Sequence, residues 1–354
     1  MAEIIILTIK IIIAVMFVLN LAGLLTWAER RQSAFIQDRL GPNRANVFGI
    51  TLFGLLHPLA DGIKMMTKED FTPAGADKVV HTIAPFLALF PAFVAFAVIP
   101  FGDRLPIFGH EVNLVVSEIN IGILFVVAVM GLAIFGVFLG GWASNNKWSL
   151  MGALRSAAQM ISYEVTLGLT IIGILMVYQS VRLDEIVRAQ GDLLFGFIPK
   201  WGIVTQPLGF LLFFTAAMAE TKRTPFDLPE GESEIVAGYF LEYSGMKFGM
   251  FFMGEFAELV IVAGIVTSLF LGGWQIPWVS TDMLLGMFPG FIVALIQLGV
   301  FTAKVAALCW LQLTIRWTLP RFRYDQLMRL GWKMLLPISL ANIFVTGLVI
   351  LLLQ

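Results

Sequence analysis

Eight apolar runs long enough to cross a bilayer divide this chain, at 4–28, 80–100, 119–141, 157–179, 203–222, 248–272, 284–314 and 334–353. A hydrocarbon layer of about 30 Å needs about 20 helical residues, because a backbone in lipid must satisfy its own N–H and C=O groups. The pattern predicts an all-α integral membrane protein with about eight transmembrane helices, forming a single polytopic membrane domain over 1–354. Composition agrees: 58% of residues are hydrophobic, 13% are charged and the mean hydropathy is +0.88, which does not suit a surface solvated by water. The seventh run is long enough to tilt, kink or project beyond the bilayer. Residues 1–28 exceed a signal-peptide apolar core, lack a small-residue cleavage site and lead into Glu29-Arg30-Arg31, so they predict a retained first helix.

Basic residues near helix ends stay on the cytoplasmic side. Seventeen Lys and Arg fall in one alternating set of loops, at about 29–79, 142–156, 223–247 and 315–333 and their edges; the other set holds only Arg104, Arg182, Arg188 and Lys200. Both termini are therefore expected on the outer side. The net charge of −1, with no broadly basic face, argues against nucleic acid as a partner. Two further segments, ITLFGLLHPLADGIKMM at 50–66 and VRLDEIVRAQ at 181–190, are too polar to span but amphipathic at helical spacing. They are read either as interfacial helices or as surface linkers.

The single Cys309 lies in an apolar run, and His57, His81 and His110 lack the spacings of zinc, haem or iron–sulfur ligands, so no metal or redox centre is expected in this chain. Acidic groups at membrane depth carry more information, because each is costly unless paired or hydrated. Glu164, Glu220, Glu255 and Glu258 are such groups; Glu255 and Glu258, three apart, share a helix face. For Glu220 a helix-end carboxylate reaching water competes with a proton-path reading. Lys304, inside the seventh run, reads as a partner cation or as a snorkelling one. Between the fifth and sixth runs Asp227, Glu230, Glu232, Glu234 and Glu242 crowd together. Such crowding raises some carboxyl pKa values and suits a relay, or else marks a solvated acidic loop. Pro225 and Pro229 favour an ordered turn there. The arginine-rich loops ERRQSAFIQDRLGPNR and RWTLPRFRYDQLMRLGWK read as membrane anchoring and as docking surfaces alike.

The stretches AERRQSAFIQDRLGPNR, HPLADGIKMMTKED, GGWASNNKWSLMGALRSAAQMISYE, TPFDLPEGESE, EYSGMKFG, LFLGGW and LPRFRYDQLMRLGWK occur in order over roughly 25–335. In these motifs the chain resembles the family of quinone-cavity membrane subunits of respiratory complex I, the proton-pumping NADH:quinone oxidoreductase. The resemblance implies a subunit of a redox-driven translocase in the bacterial cytoplasmic (inner) membrane, with periplasmic termini. Quinone would be the substrate, while flavin and iron–sulfur clusters would reside in partner subunits. The partners implied are the peripheral-arm quinone-site subunits and the small and antiporter-like membrane subunits. By matching motif, Glu29, Arg30, Arg39, Arg44, Asp61, Lys64 and Phe226 would line the quinone tunnel or its entrance. Glu164, Glu220, Asp227, Glu230, Glu232, Glu234, Glu242 and Glu255 would couple quinone reduction to proton movement. Glu258 gains no support from the family and is expected to be structural.

This chain departs from the family at three points. Met130-Gly131 stands where some members carry a glutamate, so a proton route would bypass that step or use water. His57 replaces a frequent glutamine, and a hydrogen-bonded structural role is expected for it. Trp148 stands where tyrosine is common. Two other classes compete with the leading one: a homologous anchor of a membrane-bound hydrogenase or other reduced-carrier:quinone oxidoreductase, and an autonomous ion transporter. The absence of repeats and of evident broken helices weighs against the transporter.

Overall fold

The computed structural model describes residues 2–107, 110–194 and 196–353, with the side chains of residues 2, 3, 107, 110, 232 and 233 outside the description. Of the residues singled out above, Glu232 and His110 therefore have no side-chain account. In chain order the helices are α1 (Ala2–Ile36), α2 (His57–Thr67), α3 (Lys78–Phe96), α4 (Gly122–Ala143), α5 (Lys147–Tyr178), α6 (Leu183–Ala189) and α7 (Gly202–Thr205). They continue as α8 (Pro207–Glu220), α9 (Glu232–Ile235), α10 (Gly245–Phe270), α11 (Thr281–Met287), α12 (Gly290–Thr318), α13 (Tyr324–Arg329) and α14 (Leu336–Leu353). Two short antiparallel hairpins, Arg104–Ile107 with His110–Asn113 and Leu193–Leu194 with Ile198–Pro199, are the only sheets among the described residues.

Among the described residues, seven helices are long and apolar enough to cross a membrane: α1, α3, α4, α5, α10, α12 and the continuous stretch Tyr324–Leu353. Their outer faces are apolar: Ile4, Ile5 and Ile12 on α1 and Phe344, Leu348 and Leu352 on α14 are all exposed. This is an all-α membrane protein, its surface hydrocarbon presented to lipid.

Three predicted boundaries shift. The run 203–222 holds α7 and α8, separated at Gln206 (φ −138°, ψ 60°), because Pro207 opens α8 and has no N–H to continue a ladder. At 14 residues α8 is about 21 Å long, shorter than a bilayer core. Pro207, inside the run, is the sequence signal of this break. The run 284–314 splits likewise, with Phe288 and Pro289 between α11 and α12. Conversely α5 starts ten residues before its apolar run: Asn146 caps it by accepting from Trp148 N at 2.9 Å, and Ser149 and Ser156 of its first turns are buried within the protein. Near the other end of the chain, α13 passes into α14 through a π turn at Leu330–Leu335, just ahead of Pro337.

The amphipathic segment 50–66 forms the 3-10 turn Leu52–Gly54 and then α2, in which no residue is buried. The second candidate differs from expectation. In α6, Leu183, Ile186 and Val187 are fully buried, so this helix is a plug in the protein rather than a helix lying on an interface. Its polar side is held by ion pairs of Arg182 with Asp184 and of Arg188 with Asp103.

Helix α10 lies at the centre, every residue from 254 to 270 buried among α1, α3, α8 and α12. Small residues bring the helices close. A Cβ on Gly136 of α4 would stand 2.3 Å from the Ala88 amide nitrogen of α3. Lys304 closes the far end of α10. Its Nζ donates to the carbonyl oxygens of Leu271 (2.7 Å), Gly273 (2.9 Å) and Gln275 (2.7 Å) and lies 4.4 Å from the Trp201 ring centre. A cation is thus placed where a helix C-terminus leaves carbonyls without partners. Lys304→Met keeps the length and removes three donors. We expect it to lower the melting temperature of the assembled protein by the equivalent of about 1–3 kcal/mol, and an unchanged melting curve would contradict this role.

Candidate functional site

The loop that follows α8 carries two adjacent cations into the interior. Lys222 is 2% exposed and Arg223 3% exposed. A charge so buried requires a counter-charge. Lys222 Nζ lies 3.2 Å from Glu258 Oε2, and Arg223 Nη2 lies 3.7 Å from Glu255 Oε2, so neighbouring basic residues engage acids one turn apart on α10. The Arg223 guanidinium also sits 4.0 Å from the Phe256 ring centre and donates through Nη1 to Glu29 of α1 at 2.5 Å. Arg316 Nε, in the last turn of α12, lies 3.3 Å from the other Glu29 oxygen. Burial opposes the Lys222 charge, but Glu258 and Glu255 outweigh it and raise the ammonium above its usual value.

On its other side Glu255 accepts from Tyr239 Oη at 2.8 Å, and its carboxylate acts on Glu230. Two neighbouring carboxyl groups repel when both are ionised, which favours a proton on one of them. Burial, then the negative charge of Glu255, pushes the Glu230 carboxyl well above the usual range, so Glu230 is the proton holder of the pair.

Glu220, the last residue of α8, borders two small cavities. One, of about 20 Å³, is shared with Glu164 and Met130; the other, of about 10 Å³, is shared with Glu258, Met130 and Met160. The first has room for about one water and the second is at the lower limit for one. Gly131 belongs to the same arrangement, because a Cβ there would stand 2.9 Å from Glu164 Oε1. The carboxylate of α5 thus occupies the space a side chain on α4 would fill. Glu164, Glu220, Glu258, Glu255 and Glu29 form a file linked by cavities and by the two cations.

Asp227, Glu234 and Glu242 disperse instead of forming one mutually repelling cluster. Asp227 accepts from Arg321 at 2.7 Å and Thr224 at 3.1 Å, Glu234 from Arg155 at 2.5 Å, and Glu242 from Asn146 at 2.6 Å. Each partner but Thr224 comes from another element, so electrostatics spreads these acids around the loop. The loop itself is ordered as expected: Gln159 Nε2 donates to the carbonyls of Ala219 (2.7 Å) and Phe226 (2.8 Å). At Gly238 (φ +60°) a Cβ would collide with Pro229 O at 1.7 Å, so only glycine fits this turn.

At the end of α1, Arg30 Nη2 pairs with Asp61 of α2 at 2.5 Å, with Lys64 3.6 Å from the same carboxylate. Arg39 is exposed, donates to Ser33 Oγ at 3.0 Å, and lines a depression of about 360 Å³ with Arg31, Phe35 and Gly41. Arg44 is exposed and stands apart from these pairs among the described residues. Phe226 is buried between Tyr163 and Phe322, ring centres 5.8 and 5.5 Å away, and so packs in the core. His57 Nδ1 lies 3.0 Å from Gly54 O, and the Ala45 amide approaches its Nε2 at 3.5 Å, tying the turn before α2 together as a structural histidine would.

A family model described as NADH dehydrogenase matches residues 9–347. The chain is 49% identical over 343 residues to an H-type subunit of NADH-quinone oxidoreductase from Geobacter metallireducens, covering 97% of this chain and 96% of that one. It belongs to the family of NADH-quinone oxidoreductase H-type subunits. An H-type subunit of Rhizobium meliloti is 44% identical over 98% of this chain and 97% of its own, and the one of Thermomicrobium roseum 47% identical over 94% and 92%. As a member of this family the chain is a multi-pass membrane subunit of an oxidoreductase complex, assembled with other complex I subunits.

In this H-type subunit the cations Lys222, Arg223 and Arg316 read from sequence as ordinary loop charges, and Tyr239 carries no sequence signal. Glu258, expected to be structural, pairs with Lys222 and borders a cavity with Glu220. One signal was available: three buried acids on α8 and α10 need internal cations, and the nearest basic pair follows Glu220 almost directly.

Proposed function

We propose that this chain forms the membrane half of a quinone-reducing site and converts quinone reduction into protonation changes along its file of glutamates. Arg223 carries the reading, because one buried guanidinium contacts both Glu29, on the quinone-side end of α1, and Glu255, in the membrane interior. A change of charge at Glu29 changes how tightly Arg223 is held there. The guanidinium then weights Glu255 more or less strongly, and the proton on Glu230 follows. Glu258, Glu220 and Glu164 continue the file toward α4. The surface of Arg30, Arg39, Asp61 and Lys64 would line the quinone's approach, with Arg44 at its rim and Phe226 as packing behind it. Flavin and iron–sulfur chemistry would lie in peripheral-arm partners, and small and antiporter-like membrane subunits would receive the coupling.

The same reading counts α7 with α8 as an eighth crossing of one polytopic domain, with both termini on the periplasmic side of a bacterial inner membrane. On the proposed outer side Arg104, Arg182 and Arg188 are all in ion pairs, which leaves the excess of positive charge on the cytoplasmic side.

Glu220→Gln and Glu230→Gln test the relay in the complete complex. Both should assemble and retain quinone reduction while proton translocation per electron falls. Glu230→Gln should also remove a protonated-carboxyl infrared band. Because the Glu230 pKa is raised, its protonation stabilises the folded state below the ordinary glutamate range, and this contribution is lost as pH rises through the folded value. Normal pumping stoichiometry in both variants would overturn the proposal.

A further inference from the structure

A groove of about 610 Å³ lies between the break at Gln206 and α14, far from the glutamate file. Its size falls in the range of about 300–1,000 Å³ that holds small ligands. Val204, Leu208, Val345 and Val349 form hydrocarbon walls. The polar side chains at its floor satisfy one another: Gln206 Nε2 donates to Thr346 Oγ1 at 2.7 Å, and Asn342 Nδ2 to Gln206 Oε1 at 3.0 Å. The groove therefore accepts an apolar chain and asks for no hydrogen bond inside.

Lys200 lines the same groove. Arg104, Arg182 and Arg188, the other basic residues of that set of loops, are engaged by Glu118 (3.1 Å), Asp184 (2.9 Å) and Asp103 (2.8 Å). Lys200 has no ion pair among the described residues. Three residues before it in the chain, the exposed Phe197 accepts at its carbonyl from the exposed Trp278 ring at 2.8 Å. Aromatic rings of this kind sit at the level of lipid headgroups.

We propose that this groove binds one acyl chain of an anionic phospholipid, with Lys200 on its phosphate. An apolar helix from a neighbouring subunit would bury the Lys200 ammonium without a counter-charge, which is costly, whereas a phospholipid supplies hydrocarbon and negative charge at the two places the groove requires them.

The test uses the intact complex equilibrated with phosphatidylglycerol bearing a photoreactive group in its acyl chain, and the matching phosphatidylcholine probe. Peptides containing residues 204–208 and 345–353 should be labelled about fivefold more by the anionic probe, the preference one lysine near a lipid surface provides. Lys200→Gln should abolish the preference, and Val345→Trp should block labelling at 204–208 with α1 labelling unchanged. Equal labelling by both probes, a preference that survives Lys200→Gln, or cross-links from these peptides to a neighbouring subunit in place of lipid would overturn the assignment.

Discussion

Arg223→Met is expected to prevent the complex from accumulating. The substitution leaves Glu29 and Glu255 in the interior with their shared cation removed; breaking a buried pair in this way costs about 3–5 kcal/mol, a large share of the stability of an ordinary domain. Arg223→Lys should recover only part of the loss. A lysine gathers its donors on one nitrogen, so it cannot meet Glu29 and Glu255 from the two positions that Nη1 and Nη2 occupy, and it has no plane to stack on Phe256. Glu255→Gln combined with Arg223→Met should restore more assembled complex than Arg223→Met alone, because the stranded charge is gone, whereas Glu29 keeps Arg316 at 3.3 Å. Assembled complex on native gels and its melting temperature measure all three variants. Wild-type accumulation of Arg223→Met would show that this contact holds nothing together.

Lys222→Met is expected to have the second largest effect, for a related reason with a different remedy. It strands Glu258 alone, so Lys222→Met/Glu258→Gln should regain most of the lost stability, again about 3–5 kcal/mol for the single change. The pH dependence follows from sign. The Lys222 pKa is raised in the folded protein, so its stabilisation is fully present below the ordinary lysine range and disappears only as pH rises through the raised value. Acidification through neutrality should therefore leave the Lys222 charge and its contribution to the wild type intact. If the double variant were no more stable than Lys222→Met, the Lys222–Glu258 pair would not be the source of the loss.

The two cases show how unevenly the site is legible from sequence. Glu220, Glu255 and Glu258 stand out because carboxylates in apolar runs are rare, and that rarity is local. Their partners do not stand out. Lys222 and Arg223 look like ordinary loop cations, since charge at a helix end is the common outcome of membrane topology. The loop acids were legible as a group but not as individuals: Asp227, Glu234 and Glu242 lie close in sequence, yet Arg321, Arg155 and Asn146 draw them apart. Phe226 beside Asp227 reads as a residue of an approach path, but its side chain turns inward between Tyr163 and Phe322. Helix α6 misled in the same manner, because an amphipathic segment records that one side is apolar, not whether lipid or protein covers it.

The sequence alone determined the number of apolar runs, their order and the all-α membrane class, because a bilayer of fixed thickness imposes its length on every segment that crosses it and helical hydrogen bonds are local. It also determined the presence of costly interior carboxylates. Only the tertiary structure decided which cation neutralises which acid: Arg223 meets Glu29 across 194 residues of chain, and Lys222 meets Glu258 across 36. Such pairings follow from the packing of α1, α8, α10 and α12 around one another. Electrostatic energy depends on distances of a few ångströms in space, and no local pattern of residues encodes those distances.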